Sequence, residues 1–141
     1  MQIPPTIKAL IESGCHAHLV TLNPDGSPQV TIVWIGLEGD EVVAAHLPRN
    51  RKVQNIQRDP RVAISLESDT KSALGLTEYA VLYGRARIQE GGAPELLQKL
   101  AHVYIGPGVK FPPMDNPPPG YVTRIEVDRI EGVGPWTGRP V

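Results

Sequence analysis

The apolar positions of this chain change period several times, and each change predicts an element. Ile7, Leu10 and Ile11 recur at helical spacing between Pro5 and Ser13, and Gly14 follows where helices commonly stop. From Cys15 to Leu22 the pattern becomes β-branched and alternating, which predicts a strand. Asn23-Pro24-Asp25-Gly26 predicts a turn, because proline fixes φ and glycine tolerates positive φ. A second strand is expected from Gln29 to Ile35, and Glu38-Gly39-Asp40 predicts a tight return into a third, from Glu41 to His46. These three strands read as a meander.

Pro48-Arg49-Asn50 breaks the strand pattern. Arg51 to Gln57 then reads as a short helix with Val53 and Ile56 facing one way, and Asp59-Pro60 ends it, since the residue before proline is pushed out of the α region. Arg61 to Glu67 and Glu78 to Gln89 read as strands, separated by a polar stretch, Ser68 to Thr77, with the composition of a flexible connector. Pro94 to Tyr104 predicts a helix with Leu96, Leu97, Leu100, Ala101 and Tyr104 on one face. Gly106 to Gly120 holds Pro107, Pro112, Pro113, Pro117, Pro118 and Pro119, which predicts a stiff surface loop of the kind that often borders a site. Tyr121 to Ile130 alternates as a last strand, and a short tail carries Trp136. Six strands with short connections and two or three helices favour an antiparallel barrel over a parallel doubly wound sheet, so the fold class is α+β or a mainly β antiparallel β-barrel with flanking helices, in a single domain spanning residues 1–141.

Composition narrows the function. A chain of 141 residues supports one core. Lysines and arginines number 14 against 15 acids, so no global field draws in nucleic acid or an anionic membrane, and any basic function is local. A single cysteine, Cys15, rules out an intrachain disulfide framework. No apolar run approaches the roughly 20 residues that span a bilayer. Met-Gln-Ile-Pro-Pro-Thr-Ile-Lys lacks the features of a secretory signal, so the expectation is a soluble cytoplasmic protein without nucleic-acid or membrane partners.

The local basic segment is Pro48 to Arg61. On a helix, Arg51, Lys52 and Asn55 fall within an arc of roughly 100°, and Asn50 is a good N-cap. Free N–H groups and the positive helix end beside Arg49, Arg51 and Lys52 suit a phosphate. An ordinary solvated helix face has the same composition; the position between two strands, at a sheet edge, is what favours a ligand. Val30-Thr31-Ile32-Val33-Trp34 has the composition of an apolar wall for a flat ring, and equally that of a plain core strand. Cys15-His16-Ala17-His18 offers no second ligand pair at zinc spacing, so no metal site is expected, and His46 and His102 stand isolated. The chain carries no Gly-x-Ser-x-Gly elbow, and its Gly-rich stretches match neither a P-loop nor a Rossmann turn.

Taken together, the opening helix, the strand pair from Leu19 to Val30 and above all Arg51-Lys52-Val53-Gln54-Asn55-Ile56-Gln57-Arg58-Asp59-Pro60-Arg61-Val62 resemble the split β-barrel flavin and deazaflavin oxidoreductases, relatives of pyridoxamine 5'-phosphate oxidase. The last run is similar to the Arg/Lys-Lys-x-x-Asn-Leu-x-x-Asp-Pro-Arg-Val signature of the branch that uses coenzyme F420. The resemblance implies a six-stranded antiparallel split β-barrel of FMN-binding type and a homodimer with two coenzyme sites at its interface. It further implies a reductase that passes a hydride from reduced deazaflavin to an unsaturated small-molecule substrate. FMN is the alternative coenzyme, and a non-catalytic carrier the alternative role. Carried onto this chain, Arg49, Arg51, Lys52 and Asn55 become phosphate-side residues, Val30, Thr31, Ile32 and Val33 the ring wall, and Trp136 a cover from the partner subunit. The charge of Arg49 and Arg58 around Lys52 favours the more acidic tail of F420 over the single phosphate of FMN. No residue stands out as a proton donor, and the segment from Pro112 to Pro119 departs from the family pattern.

Overall fold

The computed structural model describes residues 1–137. Along the chain run α1 (Pro5–Glu12), β1 (Ala17–Leu22), β2 (Pro28–Val33), β3 (Gly36–Glu38), β4 (Glu41–His46) and α2 (Arg51–Arg58), then β5 (Arg61–Lys71), β6 (Thr77–Glu90), α3 (Ala93–Tyr104) and β7 (Tyr121–Val133). A 3-10 turn, Pro135–Thr137, follows. The mainly β class with flanking helices is as expected.

All strand pairs are antiparallel, and the single sheet has the order β2-β1-β5-β6-β7-β4-β3. Laid flat, seven strands would hold the two edges roughly 29 Å apart at the usual inter-strand spacing. Yet β2 and β3, the edges, are separated in the chain only by Trp34 and Ile35, and the three Cα steps from Val33 to Gly36 reach at most about 11 Å. The sheet must therefore roll up until its edges meet. The result is a split barrel whose seam lies at Trp34 and Ile35.

The seam also explains why the expected strand Gln29–Ile35 is two strands. The Ile35 amide donates to the Tyr104 hydroxyl of α3 at 3.1 Å instead of to a ladder partner, and that hydroxyl donates to the Cys15 carbonyl at 3.0 Å. Seven strands replace six. The expected meander is not formed: β2 pairs with β1, β4 pairs with β3 and β7, and β2 and β4 stand near opposite ends of the sheet order. The stretch from Ser68 to Thr77 is likewise no simple connector, because β5 continues to Lys71 and β6 begins at Thr77, so half of it extends the strands of a hairpin.

The core follows the alternation. Leu19, Ile64, Leu66, Leu82, Ile125 and Val127 point into the barrel, and α1 adds Ile7 and Ile11. A smaller cluster under α3 joins Leu96 and Leu100 to Val43 and Val122, with Trp34, Ala45 and Tyr104 at its margin. β4 is buried on both faces, Val42 and Ala44 toward the barrel and Val43 toward α3. The close pairing of β6 and β7 demands glycine at 84, where a Cβ would come within 2.2 Å of the Glu126 carbonyl oxygen.

Candidate functional site

The site grows out of the turn between β4 and α2. Asn50 caps α2, its side-chain oxygen accepting from the Val53 amide at 3.2 Å. Lys52 then reaches across to β2, where its ammonium donates to the Thr31 hydroxyl at 3.1 Å. Lys52 is half-buried, and desolvation pulls its pKa below the ordinary lysine value. A desolvated ammonium with donors to spare favours an anion over water.

Beside it opens a cavity of about 230 Å³ lined by Ile32, Val33, Trp34, Ala45, His46, Lys52, Leu97 and Phe111. It sits at the barrel seam, walled by the end of β2, the end of β4, the start of α2, one face of α3 and the proline-rich loop. The aromatic side is ordered by contact: Trp34 stacks on Tyr104 with ring centroids 5.4 Å apart, and Phe111 lies tilted 5.1 Å from Trp34. His46 is buried, its Nε2 2.9 Å from the Thr123 hydroxyl. Burial first, and the Lys52 charge second, hold its pKa down to about 4, so the imidazole is neutral near pH 7. One cation, one neutral imidazole and a set of apolar side chains that includes two aromatic rings suit a flat conjugated molecule that carries an anionic group.

The structure divides the residues expected at the site. Lys52, Ile32 and Val33 share the cavity, and Thr31 joins them through Lys52. Val30 does not: it shares the outer face of β2 with Ile32 but lies two residues farther from the seam, with 58% of its surface exposed and no place in the cavity lining. Arg49 is exposed and donates to Gln57 at 2.9 Å, while Arg51 is exposed near Asp25 of the β1–β2 turn. The Asp25 carboxyl is held below its ordinary range chiefly by the Ser27 hydroxyl and amide, with Arg51 adding a smaller part.

Asn55 departs most from the expectation. It is completely buried, and its amide nitrogen donates to Thr21 Oγ1 and Asn23 Oδ1, each at 3.0 Å, while Arg58 donates to its oxygen at 3.4 Å. It touches no open space and so holds α2 on the β1–β2 hairpin rather than reaching a phosphate. Arg58 also donates to the Leu22 carbonyl. Trp136 lies elsewhere in the same chain, donating to the Tyr79 carbonyl at 3.1 Å and packing on the barrel core.

Ala45, His46, Leu97 and Phe111 are the cavity residues that sequence reasoning missed. The signal for His46 is a lone titratable residue closing an apolar strand just before the basic turn, and for Phe111 the lone aromatic in a proline-rich segment. Leu97 gave none, since a helix face says only that a residue is buried. Among the described residues no cluster of His, Cys, Asp or Glu could hold a metal, and no helix is long and apolar enough to cross a membrane.

Comparison with known proteins agrees with this geometry. The chain resembles a solved structure described as an F420 reductase, with 24% identity, a TM-score of 0.73, and coverage of 92% of this chain and 98% of that one. It resembles the protein HupZ of Group A Streptococcus at 21% identity, with a TM-score of 0.67 and 94% of each chain covered. It also resembles an FMN-binding protein of Syntrophomonas wolfei at 12% identity, with a TM-score of 0.64 and coverage of 90% and 83%. No curated protein matches the sequence. The pattern of the family described as pyridoxamine 5'-phosphate oxidase runs through residues 3–134. A rolled antiparallel sheet, a basic helix start at its seam and this sequence pattern coincide in one chain, which belongs to the pyridoxamine 5'-phosphate oxidase family.

Proposed function

We propose that this protein is a coenzyme F420-dependent reductase, acting as a homodimer, that transfers a hydride to an unsaturated organic substrate. The observation that carries the reading is Lys52: a half-buried cation at the start of α2, fixed on Thr31, opening onto the partly aromatic cavity at the seam. The likeness to a structure described as an F420 reductase supports the same coenzyme.

When bound, the reduced deazaflavin supplies the hydride. The chain supplies the rest. Lys52, with Arg51 beside it, would hold the coenzyme phosphate; Ile32, Val33 and Leu97 would exclude water from the ring; neutral His46, steadied by Thr123, offers a hydrogen bond at the ring edge without adding charge.

A second reading, FMN as the coenzyme, is favoured by how the other cations are spent. Arg49 is engaged by Gln57, and Arg58 by Asn55 and the Leu22 carbonyl, so part of their donor capacity is committed to neutral protein acceptors and less is left for a long acidic tail. A single phosphate needs no more than Lys52, Arg51 and the helix start.

Titration of the purified protein with F420 and with FMN by fluorescence separates the two readings. Reduced F420 mixed with a panel of enones and quinones then tests turnover, and tight F420 binding without turnover would mean a carrier. Lys52→Ala should weaken coenzyme binding at least tenfold with the thermal midpoint nearly unchanged. Unchanged affinity with a loosened fold would make Lys52 structural.

A further inference from the structure

The proline-rich segment is not merely near the cavity; a single glutamine binds it there. Gln98, half-buried on α3, donates from Nε2 to the Val109 carbonyl at 2.6 Å and accepts from the Phe111 amide at Oε1 at 2.9 Å. Both ends of one side-chain amide are thus used on two alternate backbone positions of the loop, as a strand neighbour would use them. This contact fixes Phe111, whose ring stands 5.1 Å from Trp34 and lines the same cavity as Lys52 and His46. Trp34 in turn cannot retreat, because Tyr104 is stacked behind it and anchored to Ile35 and Cys15. One side of the cavity is therefore a backed aromatic surface, and the other member of the pair is carried on a loop whose stretch around Phe111 is bonded to α3 by Gln98.

We propose that Phe111 is the specificity-determining residue of this cavity, selecting planar conjugated rings over puckered ones, and that Gln98 is the residue that positions it. Because their planes stand at 55° to each other, a flat ring can stack on Trp34 or Phe111 while its edge meets the other, whereas a saturated ring of similar size meets either face at only a few atoms. The inference rests on the coenzyme reading for its setting. The shared chemistry is a planar conjugated ring, which either the coenzyme or the substrate brings.

The test uses the full chain and three variants. Phe111→Ala removes the ring, Phe111→Leu keeps apolar volume without a flat face, and Gln98→Met keeps length but makes neither hydrogen bond. Each is titrated with 1,4-naphthoquinone and with cyclohexanone by calorimetry, without and with coenzyme, and each is titrated with FMN and F420. The expected result is a three- to tenfold weaker affinity for planar ligands in all three variants, with cyclohexanone unaffected and unfolding midpoints retained. If coenzyme affinity falls, the ring is the coenzyme's; if it holds while naphthoquinone binding to the loaded protein falls, the ring is the substrate's. Planar ligands that bind the wild type and the variants alike, or that do not bind the wild type at all, would overturn the assignment. Naphthoquinone binding that depends on Phe111, in a protein that takes up neither coenzyme, would leave this inference standing and remove the coenzyme reading instead.

Discussion

At the scale of the residue, Asn55 and His46 show how one polar side chain divides structure from function. Asn55 has the helical position of a ligand contact and the burial of a core residue, and its amide is consumed by Thr21 and Asn23. Asn55→Ala removes the donor shared by buried Thr21 Oγ1 and half-buried Asn23 Oδ1 and leaves a void in its place, so it should lower the unfolding free energy by about 2 kcal/mol in urea titrations. His46 carries a pH dependence whose sign follows from its depressed pKa. Above pH 6.5 folded and unfolded chains both hold a neutral imidazole. Between 6.5 and about 4 the unfolded chain takes up a proton that the folded one refuses, so stability falls as the pH drops through that window, by roughly 3 kcal/mol at most. Thermal unfolding from pH 7 to 4 should show this slope in the wild type and lose most of it in His46→Gln. Asp59 acts lower: Arg61 holds its carboxyl at about 2, so its contribution persists above 3.8 and disappears as the pH falls toward 2.

At the scale of the element, the decisive piece is the two-residue seam between β2 and β3. Its free backbone group is satisfied by α3, through the Tyr104 hydroxyl, which burial keeps protonated by pushing its pKa up. Tyr104→Phe should leave the Ile35 amide and the Cys15 carbonyl unpaired, at a cost of about 1–3 kcal/mol. The same change should speed hydrogen exchange at the Ile35 amide more than at amides inside β5 and β6; equal exchange would show that the hydroxyl does not hold the seam. Helices α1, α2 and α3 were legible to within a residue or so because caps, prolines and apolar spacing are local. The break inside the second strand was not, since the residue that causes it lies 69 positions away.

At the scale of the whole molecule, the outer face of the edge strand is apolar. Ile32 is 60% exposed, and the strand register carries it in line with His18, Ser65 and Val81, as it carries Val30 in line with Val20, Ala63 and Tyr83. The exposed apolar pair Val30 and Ile32 at a sheet edge, with the mainly apolar row Val20, Ala63 and Tyr83 beside it, fits a second copy of the chain better than water. We expect the wild type to sediment as a dimer and the double variant Val30→Asp, Ile32→Asp as a folded monomer with weakened coenzyme binding. A double variant that stays dimeric would place the interface elsewhere.

By itself the sequence determined the mainly β class, the three helices, the strand-rich order and the local positive charge after the fourth strand, because each of these depends on neighbours a few residues apart. Only the tertiary structure decided which strands are neighbours, that the sheet closes at Trp34 and Ile35, that Asn55 faces inward, and that His46, Leu97 and Phe111 meet Lys52 around one cavity. Those facts depend on contacts between distant segments, and a pattern of apolar positions records that a face is covered without recording what covers it.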